Sequence, residues 1–361
     1  MGADAGAVSR ITGADIGALA AGAAILGCGG GGQVDLLRSA LRPRRNELAV
    51  RVEPVDSTLR SLVAVTFLGS TTVLGEKPPG GFELPTAVEA VERWTGERAE
   101  AVVPAQIGGM TALGTVALAA VSGLPILDAD MVGRATPRLD QLSIFTRGVV
   151  RVTAAIVTTS GLSIVIDASS PAELESALRG AVARSGGWAA FALGPLPLEQ
   201  VRSDLVAGSV SHAIRIGRAM AEHASLAAAA AALGGRIAAR GRVIEVERHD
   251  DPISFVHGTA ALSDPRSGAV ARLEMGSEYL YLTVDGEPAA SVPDVISVLD
   301  ARTGGPLGAD QLRTGNHVEV LVLPGAPLWR SDPAFLARAD PRFYGIDADP
   351  IMANPMTART P

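Results

Sequence analysis

EAVVPAQIGGMTALGTVALAAVSGLPILDAD, Glu100 to Asp130, reads as one strand–helix–strand unit. EAVVPAQI is a short, mostly apolar run with two Val near its centre and Ile at its end. GGMTALGTVALAAVSG opens on two glycines and continues for several turns in helix-tolerant residues. LPILDAD is a second apolar run, closed by two acids. Short runs without polar alternation fit strands buried on both faces, and their alternation with helices predicts a parallel sheet covered on both sides. The neighbouring sequence repeats the theme. A helix over residues 15–26 can be capped by Thr12 or Asp15, and QVDLLRSALR continues as a second. ELAVRVEPV and SLVAVTFLGS read as strands, and LPTAVEAVERWTG has helical spacing at Ala87, Val88 and Val91. The reading is an α/β N-terminal domain with a mostly parallel sheet, over residues 10–165.

The second half changes character. ASSPAELESALRGAVARS predicts one helix, and GSVSHAIRIGRAMAEHASLAAAAAAL predicts one long helix or two. After Gly234 come the short β-prone runs RVIEVERH, ISFVHGTAAL, AVARLEM, YLYLTV, VISVLD and HVEVLVLP, separated by Gly, Pro and Asp. This predicts a β-rich C-terminal domain preceded by helices, over residues 166–350. A Pro-containing tail, 351–361, is expected to lie on the surface and fray at its end. A chain of 361 residues is long for one core, which also favours two domains.

Composition removes several classes of function. The net charge is −7, and RPRR at Arg42 to Arg45 is the densest basic stretch, so a nucleic-acid partner is not expected. GALAAGAAILG and SLAAAAAALGG fall short of the roughly 20 apolar residues that span a bilayer. One cysteine precludes an internal disulfide, and no run resembles a secretory signal. The expectation is a cytoplasmic protein acting on a small molecule, without a membrane partner, and forming a homo-oligomer.

The candidate chemistry clusters in loops. In GCGGGG, Gly27 to Gly32, the only thiol of the chain, Cys28, sits among glycines. Near a helix start, its pKa is expected to fall and its thiolate to be nucleophilic, with the amides of Gly29, Gly30 and Gly31 as oxyanion donors. The plain alternative is a helix-breaking loop with an incidental thiol. Asp128 and Asp130 stand two apart at a strand end, about 6–7 Å between Cα atoms if extended. They suit an acid/base pair or ligands for a hard divalent metal, with Arg134 holding one of them or a substrate carboxylate. Gly108, Gly109 and Met110 repeat the loop-then-helix device. Glu76 and Lys77 stand in a loop after a strand. Among the histidines His212, near a helix start, is the one candidate. Capping loops, ion pairs and close helix packing are the ordinary alternatives for each. No nucleotide motif, HExxH or GxSxG is present, so no cofactor is assigned beyond that open metal.

Taken in order, GCGGGG, EKP, IGGM, DADMVGRATP, SHAIRIGRA, SEYL, VPDVISVLD, LRTGNHVEVLVLP and PRFYGIDADP resemble the DUF917 family, named after S-methyl thiohydantoin desulfurase. The resemblance runs over about residues 12–350, and DADMVGRATP is its most specific stretch. It departs at Cys28, where relatives carry Thr or Ser, and at Ser277, where they carry Asn. It implies chemistry on a hydantoin-type five-membered ring, and a hydantoinase- or oxoprolinase-type protein as partner. The combined expectation is a hydrolase that desulfurises a thiohydantoin or S-methyl thiohydantoin at C2, with Cys28 as nucleophile and Asp128 or Asp130 moving protons. One alternative is a metal- or Asp-assisted hydrolase of a hydantoin- or oxoproline-like ring. Another is a non-catalytic subunit of such an enzyme.

Overall fold

The computed structural model describes residues 7–147, 152–249 and 257–351. Among these, a first sheet runs in the order Arg10–Thr12, Ala49–Glu53, Ile126–Leu127, Ala101–Pro104, Ser61–Gly69, Trp188–Pro197, Val152–Thr158 and Ser163–Ala168. Its four strands from Ala49–Glu53 to Ser61–Gly69 are parallel, and the outer strands pair antiparallel. Side chains alternate between two cores. In Ser61–Gly69, Val63 and Val65 face a layer that includes helices Ile16–Leu26 and Met110–Ser122. Leu62 and Ala64 face the opposite layer, with helix Pro171–Arg184, Trp329 and Phe335. Burial on both faces is why the central strands read as unbroken apolar runs.

The α/β reading therefore holds, with a mixed sheet. That sheet continues past residue 165: Ser163–Ala168 forms an edge, and Trp188–Pro197 lies inside it beside Ser61–Gly69. The sequence reading assigns no element at WAAFALGPLP, a stretch with Ala, Gly and Pro, which are poor strand formers. Burial on both faces overrides that local preference. LPILDAD also differs from its reading as one strand. It breaks at Asp128, with Ile126–Leu127 in the large sheet and Ala129–Asp130 paired to Val206–Ala207.

The long Ala-rich region forms two helices, Ser209–Glu222 and Leu226–Ala232. The first packs on Ile16–Leu26 at very short range. A Cβ on Gly22 would lie 1.7 Å from Ala213 O, and one on Gly217 would lie 1.8 Å from Ala18 O.

The second sheet is antiparallel throughout, in the order Glu287–Ser291, Tyr279–Val284, Val270–Met275, His257–Ser263, Arg236–His249, His317–Leu323 and Val295–Asp300. It curls, bringing Tyr279–Val284 close to Val295–Asp300, and encloses a core including Leu273, Leu282, Val298 and Val320. Within the expected tail, Ile351 N donates to Ser291 Oγ at 2.6 Å, and the remainder of that expectation lies outside the described residues. Among the described residues no helix is long and apolar enough to cross a membrane.

Candidate active site between the two sheets

The glycine run lies where side chains do not fit. After helix Ile16–Leu26 the chain turns through positive φ at Cys28 (50°), Gly29 (91°), Gly31 (74°) and Gly32 (78°). A Cβ on Gly29 would meet the Tyr279 ring at 2.5 Å, and one on Gly30 would meet Glu278 Oε1 at 2.1 Å. Main-chain bonds lock the run to the second sheet: Tyr279 N donates to Cys28 O at 2.7 Å, and Ala309 N to Gly29 O at 2.8 Å. The second glycine loop closes on it from the other side. Met110 N donates to Gly31 O at 2.7 Å, and Gly109 N to Ala23 O at 2.7 Å. The structure thus brings Gly29–Gly31 together with Gly108, Gly109 and Met110, as one packing junction. The expected oxyanion role is reduced, because the Gly109 amide is committed to Ala23 O and that of Gly30 to Gly27 O.

The expectation for Cys28 is reversed. It is fully buried, and burial pushes its thiol up to about 11, a push that the nearby Arg134 charge only partly offsets. Cys28 follows the C-terminal end of Ile16–Leu26, while the next helix starts only at Val34, so the helix dipole disfavours a thiolate. The glycines close the neighbours onto the sulfur instead of opening it. Native protein treated with iodoacetamide at about pH 8 is expected to stay unlabelled, with full labelling in denaturant. Rapid labelling of the folded chain would contradict this placement.

Asp128 and Asp130 serve different partners. Asp128 accepts from Ser211 N at 3.0 Å and Ser211 Oγ at 2.6 Å, anchoring the start of helix Ser209–Glu222. Asp130, wholly buried, accepts from Ile107 N and Gly133 N, each at 2.8 Å. Burial drives its carboxyl up to about 7, against the pull of the Gly133 and Ile107 amides. The break at Asp128 undoes the extended geometry that the sequence reading assumes. Arg134 is a bolt between the sheets: Nη1 donates to Asp294 O at 2.5 Å and Nη2 to Tyr279 O at 2.9 Å. That commitment corrects the expectation that it binds a substrate carboxylate. Glu76 ends the short helix Thr71–Glu76 and, with Lys77, is exposed. His212 lies against Arg215, with Nδ1 2.7 Å from Nη2, and burial followed by the Arg215 charge lowers it to about 4. None of these residues lines the large cleft.

That cleft, of about 630 Å³, opens between the two sheets at the carboxyl ends of strands Ser61–Gly69 and Ala101–Pro104. Ligands favour such strand ends and domain junctions. Gln106 and Thr136 form part of its first wall, with Gln106 Oε1 accepting from Thr136 N at 2.8 Å. Ser277 lies on the opposite wall, and its Oγ donates to Glu278 Oε2 at 2.5 Å. Glu278 is buried, and burial raises its carboxyl to about 7 against the Ser277 hydrogen bond and the Arg134 charge. A carboxyl poised near neutrality therefore connects to the cleft through one hydroxyl. Among the described residues no group of three or more His, Cys, Asp or Glu side chains is arranged to hold a metal.

Sequence reasoning missed Glu278 and Gln106 as site residues. SEYL does appear among the stretches that carry the resemblance, yet nothing local reveals that this glutamate is buried against a glycine 248 positions earlier in the chain.

The crystal structure of a protein from Chromobacterium violaceum has a similar fold, with a TM-score of 0.79 and 21% identity, covering 96% of this chain and 100% of that one. No curated protein matches. The family model described as "S-Me-THD-like, N-terminal domain" matches residues 14–168, and "S-Me-THD-like, C-terminal domain" matches 169–352. With both halves matched in order, the chain belongs to the S-Me-THD-like family, that of S-methyl thiohydantoin desulfurase.

Proposed function

We propose that the chain is a hydrolase that desulfurises a thiohydantoin or S-methyl thiohydantoin at C2, within the cleft between its two sheets. The observation that carries this reading is the Ser277–Glu278 pair, a buried carboxyl near neutrality joined to the cleft by a 2.5 Å hydrogen bond. C2 of such a ring lies between two nitrogens and is electrophilic. Water attacks C2 and passes a proton to Ser277 Oγ as the Ser277 proton moves to Glu278. The C2–S bond breaks, and the proton returns through Ser277 to the departing sulfur. The S-methyl ring and water give the hydantoin and methanethiol; the thione and water give the hydantoin and hydrogen sulfide. Glu278 acts as general base and then general acid, a task suited to a carboxyl that titrates near the working pH. The Gln106 amide, whose Oε1 accepts from Thr136 N and whose Nε2 donates to Thr66 Oγ1 at 3.5 Å, would hydrogen-bond the ring from the first wall of the cleft.

The test is release of methanethiol or sulfide by the purified full chain from a set of thiohydantoins, beside ring opening of the matching hydantoins. Sulfur release by the chain alone is expected. Ring opening without sulfur release would move the assignment to a hydantoin- or oxoproline-type ring hydrolase. Activity only with an added hydantoinase-type protein would make this chain a subunit.

A further inference from the structure

Two arginines on the second-sheet wall of the cleft converge on one carbonyl oxygen. Arg248 Nη2 donates to Leu312 O at 2.7 Å and to Ala309 O at 2.6 Å. Arg313 Nη1 donates to the same Leu312 O at 2.9 Å and to Asp310 O at 2.5 Å. Their hydrogen bonds within the described residues thus end on main-chain carbonyls, which leave the positive charge in place. The other two cleft arginines differ, since Arg138 holds Asp140 and Arg179 holds Glu175. Asp310 is on the same wall and keeps its negative charge, with its carboxylate directed to the hydroxyls of Thr71 at 3.0 Å and Thr72 at 3.4 Å. Burial and then the Arg313 charge lower Arg248 from its ordinary value, and the opposing pull of Asp310 is smaller. In a chain of net charge −7, two cations are held side by side in a cleft that a five-membered ring alone would not fill.

We propose that Arg248 and Arg313 seat an anionic substituent, a carboxylate, carried by the ring that this cleft processes. Paired guanidinium forks match the two oxygens of a carboxylate, and an anion there would relieve their mutual repulsion. The proposal rests on the reading of the cleft as a thiohydantoin site. It also replaces Arg134 in that role, which is bolted to main-chain carbonyls.

The experiment compares rings of matched shape on the full chain: 5-carboxymethyl and 5-carbamoylmethyl hydantoin for equilibrium binding, and the corresponding thiohydantoins for turnover. The acid is expected to bind at least about tenfold more tightly than the amide, as charge-assisted hydrogen bonds imply. In Arg248→Gln and in Arg313→Gln that preference should shrink to about threefold or less, through KM and with kcat retained. A thermal melt identifies a variant that fails to fold, and the other variant then carries the comparison. Equal binding of acid and amide by the unaltered chain, or a preference unchanged in a folded variant, would overturn the proposal. Arginine-dependent binding of the acid without any sulfur release would leave the anion seat standing and remove the desulfurase reading. Sulfur release with no preference for the acid would do the reverse.

Discussion

Replacing Glu278 with glutamine is expected to lower kcat/KM for a thiohydantoin about 10²–10⁴-fold, the usual worth of a positioned acid–base group. In the unaltered protein the rate should climb with pH through about 7 and then level off, since the ionised carboxylate is the form that accepts the proton. The variant should lose that limb. A melt separates loss of chemistry from loss of fold. The folded Glu278 holds its proton up to about 7, above its ordinary value of 4.5, so the folded state binds more protons between these values and loses stability as pH rises through that window. Above it the buried charge is a full penalty, and Glu278→Gln should melt higher than the parent at pH 8. An activity loss below tenfold, or an unchanged pH limb, would count against Glu278 as the base.

Gly22→Val is expected to cost about 3 kcal/mol of stability, the upper end of the overpacking range. The new side chain would have to occupy space 1.7 Å from Ala213 O, and the helices cannot simply separate. Their contact is reciprocal, with Gly217 against Ala18 O, and Ile16–Leu26 leads directly into the glycine run under Glu278. Gly17, on the same helix, has open space around its missing Cβ, so Gly17→Ala should be stabilising by up to about 1 kcal/mol through helix propensity. Denaturant midpoints of the two variants measure the contrast. A Gly22→Val protein within 1 kcal/mol of the parent would reject close packing of this pair.

How far the fold was legible depends on how local each signal is. The helix Met110–Ser122 and the strands Ala101–Pro104 and Ser61–Gly69 carry their pattern in consecutive residues, and they stand where the sequence places them. Trp188–Pro197 does not, because an Ala- and Gly-containing run becomes a strand only when both faces have cores to meet. The site follows the same rule. That two glycine loops matter was readable, since runs of glycine mark close backbone approach. What approaches them was not: Glu278, Tyr279 and Arg134 arrive from distant segments. The same long-range contacts turned Cys28 from an expected thiolate into a buried thiol. They also turned Asp128 and Asp130 from an expected acid pair into anchors for a helix start and two loops.

Crystals of the full chain grown with a hydantoin product that bears a 5-carboxymethyl group would locate the reaction directly. We expect the ring in the cleft, its C2 carbonyl within hydrogen-bonding reach of Ser277 Oγ, and its carboxylate on Arg248 and Arg313. A ring bound elsewhere, or one in the cleft with C2 turned away from Ser277 and Glu278, would contradict this placement.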